Sequence, residues 1–151
     1  MHLMKSTDLA LRLLMRLAVL PPDTDPEELP TTREVAESMG AATTHMAKVV
    51  GRLQHLGLVQ ARRGRGGGLV LTAAGRAASV GAVVRTFEGS GDLAACVEGD
   101  EPCPINAACR LRGALRSAQE AFYTSLDQLT IEDVTAGPTG PLLLSISRRR
   151  P

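Results

Sequence analysis

The three cysteines of this 151-residue chain lie close together in the sequence, in the order Cys96, Cys103 and Cys109. Three thiolates in a short segment with glycines, prolines and little apolar core are typical of a bound metal or inorganic cluster, which would hold the segment in one conformation. Zinc sites usually contain C-x2-C pairs, whereas the spacing here is C-x6-C-x5-C, which favours an iron–sulfur cluster. Zinc, and free or redox-active thiols, are the alternatives. A tetrahedral site or a cubane needs a fourth ligand, which cannot be a cysteine because the chain has no other.

A second group of residues suits contact with a polyanion such as DNA. Between Ser38 and Phe87 the sequence has basic residues but no acidic ones, whereas Glu88–Glu101 has acidic residues but no Lys or Arg. The formal net charge of +1 therefore hides a basic region that a nucleic acid would meet. The basic residues of this region are Lys48, Arg52, Arg62, Arg63, Arg65, Arg76 and Arg85.

Three helices are predicted in the first part of the chain, from apolar residues at helical spacing and from polar residues that cap helices. The second opens with the capping-box pattern of Thr31 and Glu34. Gly40 and Gly57 are typical of helix ends. The predicted helices run from a cap at Thr7 or Asp8 to Leu20, from Thr31 to Gly40, and from Thr43 to Leu56.

A glycine-rich hairpin is predicted after the third helix. Two short predicted strands, within 58–63 and 69–72, flank Gly64–Gly68, which is the pattern of a β-hairpin. The glycines lack the Lys-Ser or Lys-Thr of a phosphate-binding loop, and they precede a strand rather than a helix, which excludes a dinucleotide fingerprint. Three helices and a hairpin in this order predict a winged helix-turn-helix, so the fold class is mainly α with a small β-hairpin wing.

Such a fold assigns DNA-binding roles to the basic region. The third helix would enter the major groove, and the wing would approach the phosphate backbone or the minor groove. Arg52, further along the exposed face of that helix, is expected to meet phosphate. The residues predicted near base edges are Thr43, Thr44, His45 and Lys48, and those on the wing are Arg62, Arg63 and Arg65.

The second half of the chain is predicted to be helical outside the cysteine segment. Thr72 caps a helical stretch that runs to Phe87 with a break near Gly81, and Thr130 caps a short turn to Val134. A long amphipathic helix between them carries leucines and Phe122 on one face. The expected domains are a winged helix-turn-helix at 1–82, the cysteine segment with the long helix at 83–135, and a disordered tail at 136–151.

Composition and motifs exclude several classes of protein. Aromatic residues make up 2% of the chain, so stacking platforms for single-stranded nucleic acid are not expected. Arg12 and Arg16 interrupt the apolar run near the N-terminus, which argues against a signal peptide and predicts a cytoplasmic protein without a membrane span. An enzyme or electron carrier is the alternative class, but the chain has no recognisable catalytic motif, so we expect it not to be an enzyme.

The sequence resembles the dimeric iron–sulfur winged-helix regulators, and most closely their nitric-oxide-sensing repressors. The resemblance is carried by K-x-T-D-L-A-L-R at Lys5–Arg12, by R-L-Q-H-L-G at Arg52–Gly57 and by R-R-G-R-G-G-G-L at Arg62–Leu69. It extends over nearly the whole chain, including Cys103-Pro104, Ala108–Leu111 and Gln119–Tyr123.

The resemblance implies a homodimer whose long helices pack together and which binds a palindromic double-stranded DNA operator. In each subunit Cys96, Cys103 and Cys109 would hold a cluster, with [4Fe-4S] as the sensing form and [2Fe-2S] as the alternative. Asp8 of the other subunit matches the family's fourth ligand, and nitrosylation of the cluster would abolish operator binding. The residues alone also allow Asp8 a plainer role, as a helix N-terminal residue or the ion-pair partner of Arg12.

Other ligands and other signals remain as alternatives within this class of regulator. His2, Glu98 and Asp100 are reserve ligands, and the gap between the first two cysteines is one residue longer than is usual in the family. The related regulators of iron–sulfur status have a histidine three residues after the third cysteine, where this chain has Arg112, which argues against their ligand set. A redox or iron–sulfur-status regulator and a zinc-stapled repressor are the alternative functions.

Overall fold

The computed structural model describes residues 2–21, 23–62, 66–89, 103–105 and 108–148. Within these ranges the chain forms eight α-helices, one 3₁₀ turn at Pro26–Glu28 and a two-stranded antiparallel sheet. The elements are α1 (Lys5–Ala18), α2 (Thr32–Ser38), α3 (Thr43–His55), β1 (Val59–Ala61), β2 (Leu69–Leu71), α4 (Ala73–Ala77), α5 (Val80–Glu88), α6 (Arg110–Asp127), α7 (Ile131–Thr135) and α8 (Thr139–Arg148). The predicted fold class, mainly helical with a small hairpin wing, is confirmed.

Helix α1 lies at the centre of the core and packs against α3, α5 and α7. Its buried leucines, spaced at helical intervals from Leu9 to Leu17, contribute one face to a single cluster of apolar side chains. Each of the other helices that pack there contributes fully buried residues, such as Met46 from α3, Val84 from α5 and Ile131 from α7. The DNA-reading elements predicted from the sequence thus share one core with the helices on either side of the cysteine segment.

The first helix starts earlier than its sequence suggests. Neither Thr7 nor Asp8 is the cap, because α1 begins at Lys5 with Met4 as its N-cap and without a side-chain capping bond. Thr7 is fully buried, and its hydroxyl donates instead to the Glu88 carboxylate at the end of α5. The same Glu88 Oε1 accepts the Met4 N–H at 2.8 Å. A distant carboxylate therefore satisfies the N–H of the N-cap residue and the buried Thr7 hydroxyl, while no side chain caps the helix locally.

The turn between α2 and α3 follows the sequence prediction closely. The capping box at Thr31 forms, with Glu34 N–H donating to Thr31 Oγ1 at 3.2 Å and Thr31 N–H donating to Glu34 Oε2 at 2.9 Å. Gly40 has a φ of 61°, in the left-handed region that favours glycine, and it lets the chain reverse into α3. Helix α3 ends at His55, one residue before the predicted end.

The hairpin forms with Val59 opposite Leu71, Gln60 opposite Val70 and Ala61 opposite Leu69. The start of its second strand packs on the loop before α2, because Leu69 N–H donates to Pro30 O at 2.8 Å. A glycine is required at position 68, where a Cβ atom would lie 2.6 Å from Leu29 O. Close packing against Leu29 therefore requires at least one glycine of the glycine-rich segment, Gly68.

The helical stretch after the hairpin breaks at a different place from the one predicted. The break falls at Ala78, after which Ser79 caps α5 by accepting the Ala82 N–H at 3.2 Å. Gly81 lies inside α5 because the helix crosses α6 there, and a Cβ at Gly81 would lie 2.2 Å from Asp127 Oδ1. The glycine reports close helix packing and not a helix end.

The end of the chain is more ordered than expected. A disordered tail was expected from residue 136, but residues 139–148 form α8, which packs against α1 and α7. The prolines and glycines of this segment lie just before α8 or in its first turn, where a helix tolerates them. The predicted domain boundary at 82 falls within α5, which belongs to the same core as α1.

Candidate functional site

The N-terminal half of α3 presents polar side chains on its outer surface. Met46, Val49, Val50 and Leu53 of this helix are buried, which fixes the face that points away from the core. Thr43, Thr44 and Lys48 are exposed there, and His45 is half-buried. All four residues predicted to read base edges therefore lie on or next to one accessible surface.

Arg52, predicted to contact phosphate, is engaged within the protein. Its guanidinium carbon lies 4.5 Å from the centroid of the Phe87 ring, and its Nη2 donates to the carbonyl oxygen of Thr86. Both partners belong to the last turn of α5. The residue remains exposed to solvent, but the fold gives it partners within the protein that the sequence pattern did not reveal.

Two other arginines of the basic region also bind within the fold. Arg76 donates to Ala18 O at 2.8 Å and to Leu20 O at 3.3 Å, so it satisfies carbonyl groups at the end of α1. Because Arg76 and Arg85 both donate to groups of the protein, the basic surface of the described chain is left to α3 and the wing. On the wing, Arg62 is exposed, and its N–H donates to Gly68 O at 2.9 Å. Arg63 and Arg65 lie outside the residues that the structure describes.

The other arginine, Arg85, joins α5 to α6. It donates to Glu120 Oε2 at 2.8 Å and to Asp127 Oδ2 at 3.0 Å, and its guanidinium carbon lies 4.5 Å from the Tyr123 ring centroid. The hydrogen bond with Glu120, more than any other interaction, raises the pKa of Arg85 above its ordinary value. The sequence did not single out this contact, because its partners are 35 and 42 residues away.

Two of the three cysteines lie in the described part of the chain. Cys103 and Cys109 are half-buried and are not joined by a disulfide bond. Cys109 is the N-cap of α6, and its Sγ accepts the Arg112 N–H at 3.4 Å. Cys96 and the reserve ligands Glu98 and Asp100 lie outside the described residues, and among those that are described no three His, Cys, Asp or Glu side chains form a metal site.

Asp8 lies in the first turn of α1 and pairs with Arg12, as the plainer of its two sequence interpretations predicts. Asp8 Oδ1 accepts from Arg12 Nε at 2.9 Å, and the Asp8 side chain is 44% exposed. His2, the remaining reserve ligand, is exposed near the N-terminus. The Asp8 carboxylate is accessible to another molecule, whereas its neighbour Thr7 is buried against Glu88.

Helix α6 carries an apolar face that the rest of the described chain covers incompletely. Of its 18 residues, Tyr123 is the one that is buried. The predicted stripe includes Leu111, which is 67% exposed, and Ala118, which is also exposed, while Phe122 and Leu126 pack partly on the core. Separately, none of the described helices is long and apolar enough to cross a membrane.

The chain is similar in sequence to known transcriptional regulators. Residues 3–137 match the Rrf2 family, described as iron-dependent transcriptional regulators. The chain is 60% identical over 149 residues to the HTH-type transcriptional repressor NsrR of Streptomyces coelicolor, which covers 99% of this chain and 98% of that protein. It is 36% identical over 135 residues to the regulator NsrR of Halalkalibacterium halodurans, covering 89% of this chain and 90% of the relative.

A solved structure agrees with the fold. A putative transcriptional regulator from Listeria innocua superposes with a TM-score of 0.67 at 24% identity, over 92% of this chain and 89% of its own. At that identity the likeness concerns the fold. The sequence matches confirm the family resemblance drawn from Lys5–Arg12, Arg52–Gly57 and Arg62–Leu69.

Proposed function

Because the chain belongs to the Rrf2 family of transcriptional regulators, we propose that this repressor senses nitric oxide through an iron–sulfur cluster. Its relatives are DNA-binding regulators, which confirms the expectation that the chain is not an enzyme. A regulator of this kind acts where the chromosome is, so we place it in the cytoplasm. The supporting observation is the position of the cysteine segment, which joins the last turn of α5 to the start of α6.

The cysteines present fit an iron–sulfur cluster. Cysteine thiolates are the usual ligands of iron–sulfur clusters, and the two described cysteines are half-buried and are not joined by a disulfide bond. Cys96, Cys103 and Cys109 would be the ligands from one subunit, with Asp8 of the partner subunit as the fourth. We propose [4Fe-4S] as the sensing form, with [2Fe-2S] as the alternative. When bound, the cluster supplies the iron that nitric oxide attacks.

The position of Asp8 suggests how nitric oxide could affect DNA binding. Asp8 is on α1, which packs directly on α3, so a bond from Asp8 to the cluster of the partner would join the DNA-reading helices to the other subunit. A carboxylate oxygen is a weaker and more readily replaced ligand for iron than a thiolate. Loss of that bond would free the two DNA-reading heads to leave the ~34 Å spacing that a palindromic site demands.

The DNA contacts follow from the exposed surface. Thr43, Thr44, His45 and Lys48 on α3 would meet base edges in the major groove. Arg62, with Arg63 and Arg65 further along the wing, would meet the phosphate backbone or the minor groove.

The test combines metal analysis with DNA binding. Anaerobically purified protein would be examined by native mass spectrometry during stepwise addition of nitric oxide, and then used to select binding sites from a random duplex library. We expect a dimer with iron and inorganic sulfide, iron-nitrosyl species after nitric oxide, and loss of binding to the selected duplex. An iron–sulfur dimer that ignores nitric oxide would favour a redox or iron–sulfur-status regulator. A dimer with zinc and no sulfide would favour the zinc-stapled repressor.

A further inference from the structure

The last turn of α5 contacts both α3, the helix proposed to read DNA, and α1. On one side, Arg52 of α3 lies over the Phe87 ring and donates to Thr86 O. On the other, Glu88 accepts hydrogen bonds from Met4 N–H and from the Thr7 hydroxyl at the start of α1. Three successive residues of α5 thus hold two helices that precede them by more than thirty positions.

The same turn leads directly into the cysteine segment. Helix α5 ends at Glu88 and is followed by Gly89, whose φ of 80° lets the chain leave the helix axis, and the segment with Cys96 comes next. Arg85, one turn earlier, fixes α5 to α6 through Glu120 and Asp127. Helix α5 is therefore attached to the long helix, while its end is attached to the helix that reads DNA.

The chemistry of the Arg52 contact suits a positioning role better than a phosphate contact. The last carbonyl groups of a helix have no partner within the helix, so a guanidinium that donates to Thr86 O satisfies one of them. The positive charge also lies near the negative end of the α5 dipole and over the face of a buried ring, Phe87 being 2% exposed. A phosphate that bound the same guanidinium would have to compete with both interactions.

We propose that Arg52 is a positioning residue, which fixes the angle of α3 against the last turn of α5 and so couples the DNA-reading surface to the cysteine segment. The coupling to the cysteine segment rests on the proposed cluster function, whereas the positioning of α3 does not. Arg52 would act through Phe87 and Thr86 and would not itself touch DNA.

The first experiment separates positioning from charge. Affinity for the selected duplex would be measured over a range of salt concentrations for Arg52→Ala, Arg52→Lys and Phe87→Leu, with Arg62→Ala on the wing as the control for a phosphate contact. A residue that neutralises one phosphate contributes about 0.9 to the slope of log K against log salt concentration. We expect Arg62→Ala to reduce that slope, and the three other variants to lose affinity by about five- to tenfold at unchanged slope.

The conservative variant decides between the two roles. Lysine keeps the charge of Arg52 but lacks the planar fork, so a positioning role predicts that Arg52→Lys loses affinity much as Arg52→Ala does. Arg52→Ala combined with Phe87→Leu should be no worse than either change alone. Wild-type affinity in Arg52→Lys together with a reduced slope in Arg52→Ala would show a phosphate contact and overturn the proposal. Wild-type affinity in Arg52→Ala would also overturn it.

A second experiment needs neither DNA nor cluster. Hydrogen exchange of metal-free protein should show faster exchange in Arg52→Ala at the end of α3 and in the last turn of α5, with no such change in Lys48→Ala. If this holds but the affinity ratio between untreated and nitric-oxide-treated protein is unaltered by Arg52→Ala, positioning stands and the coupling fails. If the wild-type protein has no cluster or ignores nitric oxide, the proposed function fails and the positioning result is unaffected.

Discussion

At the scale of single residues, Asp8 has two possible roles, a structural one and a ligand one, and the two predict different effects of substitution. In one subunit its carboxylate pairs with Arg12 at 2.9 Å and stays 44% exposed, so the ion pair itself is worth little. As a ligand for the partner's cluster, the same carboxylate would affect cluster retention and DNA binding together.

We predict that Asp8→Ala reduces cluster retention by about tenfold or more under nitric oxide or air. It should also weaken operator binding before any nitric oxide is added. Arg12→Gln is the matched control, because it removes the same ion pair but keeps the carboxylate, and its iron and sulfide content should equal that of the wild type. Both quantities can be measured by native mass spectrometry and fluorescence anisotropy. Unchanged cluster content and unchanged nitric oxide response in Asp8→Ala would rule out the ligand role.

Asp133 gives a prediction about pH. Its Oδ2 accepts from the Thr130 hydroxyl at 2.6 Å and from the Thr130 N–H at 2.9 Å, and these bonds lower the pKa of Asp133 below its ordinary value. Because the folded pKa is the lower one, the stabilisation is complete above the ordinary pKa and is lost as pH falls through the folded pKa.

We therefore expect Asp133→Asn to lower the Tm at neutral pH. As pH falls below about 4, the Tm of the wild type should approach that of the variant. Thermal unfolding across this range measures the effect, with Glu132→Gln, the same charge change one position earlier in α7, as the control. A Tm difference between Asp133→Asn and the wild type that stays constant from pH 7 to the acid limit would contradict the assignment.

At the scale of elements, features with local signals were predictable from the sequence. The capping residues Thr31, Thr72 and Thr130 each accept a backbone N–H three residues ahead, so sequence spacing alone identifies them. Thr7 has the same residue type, but its partner Glu88 is 81 positions away, and no local pattern can show that. The start of α1 was therefore mispredicted for a tertiary reason.

Glycines show the same limit. Gly40 and Gly57 have φ values of 61° and 71° and end helices as predicted, whereas Gly75 and Gly81 lie inside helices where other elements come too close for a side chain. Sequence alone does not distinguish the two uses, since both depend on what surrounds the residue. The sequence also did not predict the break at Ala78 or the helix α8. Both involve contacts with distant elements, since α4 and α8 each pack against α1 and α7.

We predict opposite effects for two glycine substitutions in helices. In Gly75→Ala the new Cβ would lie 2.2 Å from Leu58 O, a backbone atom, so the free energy of unfolding should fall by about 1–3 kcal/mol. At Gly51, on the exposed side of α3, an added Cβ would meet no atom within 4 Å. Gly51→Ala should therefore raise the free energy of unfolding by about 0.5–1 kcal/mol. Urea unfolding at fixed protein concentration measures both. Equal effects of the two substitutions would contradict the packing assigned to α4.

At the scale of the whole molecule, the charge pattern of the sequence indicates a basic surface without showing which arginines bind within the protein. Arg52, Arg76 and Arg85 belong to the basic stretch of sequence, yet each binds a carbonyl or carboxylate of the protein. Arg52 nevertheless stays exposed, like Lys48 and Arg62, whereas Arg76 and Arg85 are half-buried. Sequence can count charges, but only the fold decides which of them meet solvent.

The apolar face of α6 carries the last prediction, about assembly. A stable dimer buries roughly 1,200–2,000 Å² in total, and the stripe with Leu111 and Ala118 is an apolar part of this helix that is exposed in the described chain. An arginine on that stripe would place a charge in the proposed interface. Thr124, exposed on another side of α6, provides a matched position outside it.

We expect Leu111→Arg and Ala118→Arg to sediment as monomers at concentrations where the wild type and Thr124→Arg are dimers. Helix content by circular dichroism should be unchanged, since these side chains contribute little to the core of one subunit. The monomeric variants should also lose operator affinity, because a monomer engages one half-site at a time. Dimers that persist in both stripe variants would place the interface elsewhere. Monomers that still bind the operator at wild-type affinity would remove the need for two DNA-reading heads, and with it the argument that Asp8 works across the dimer.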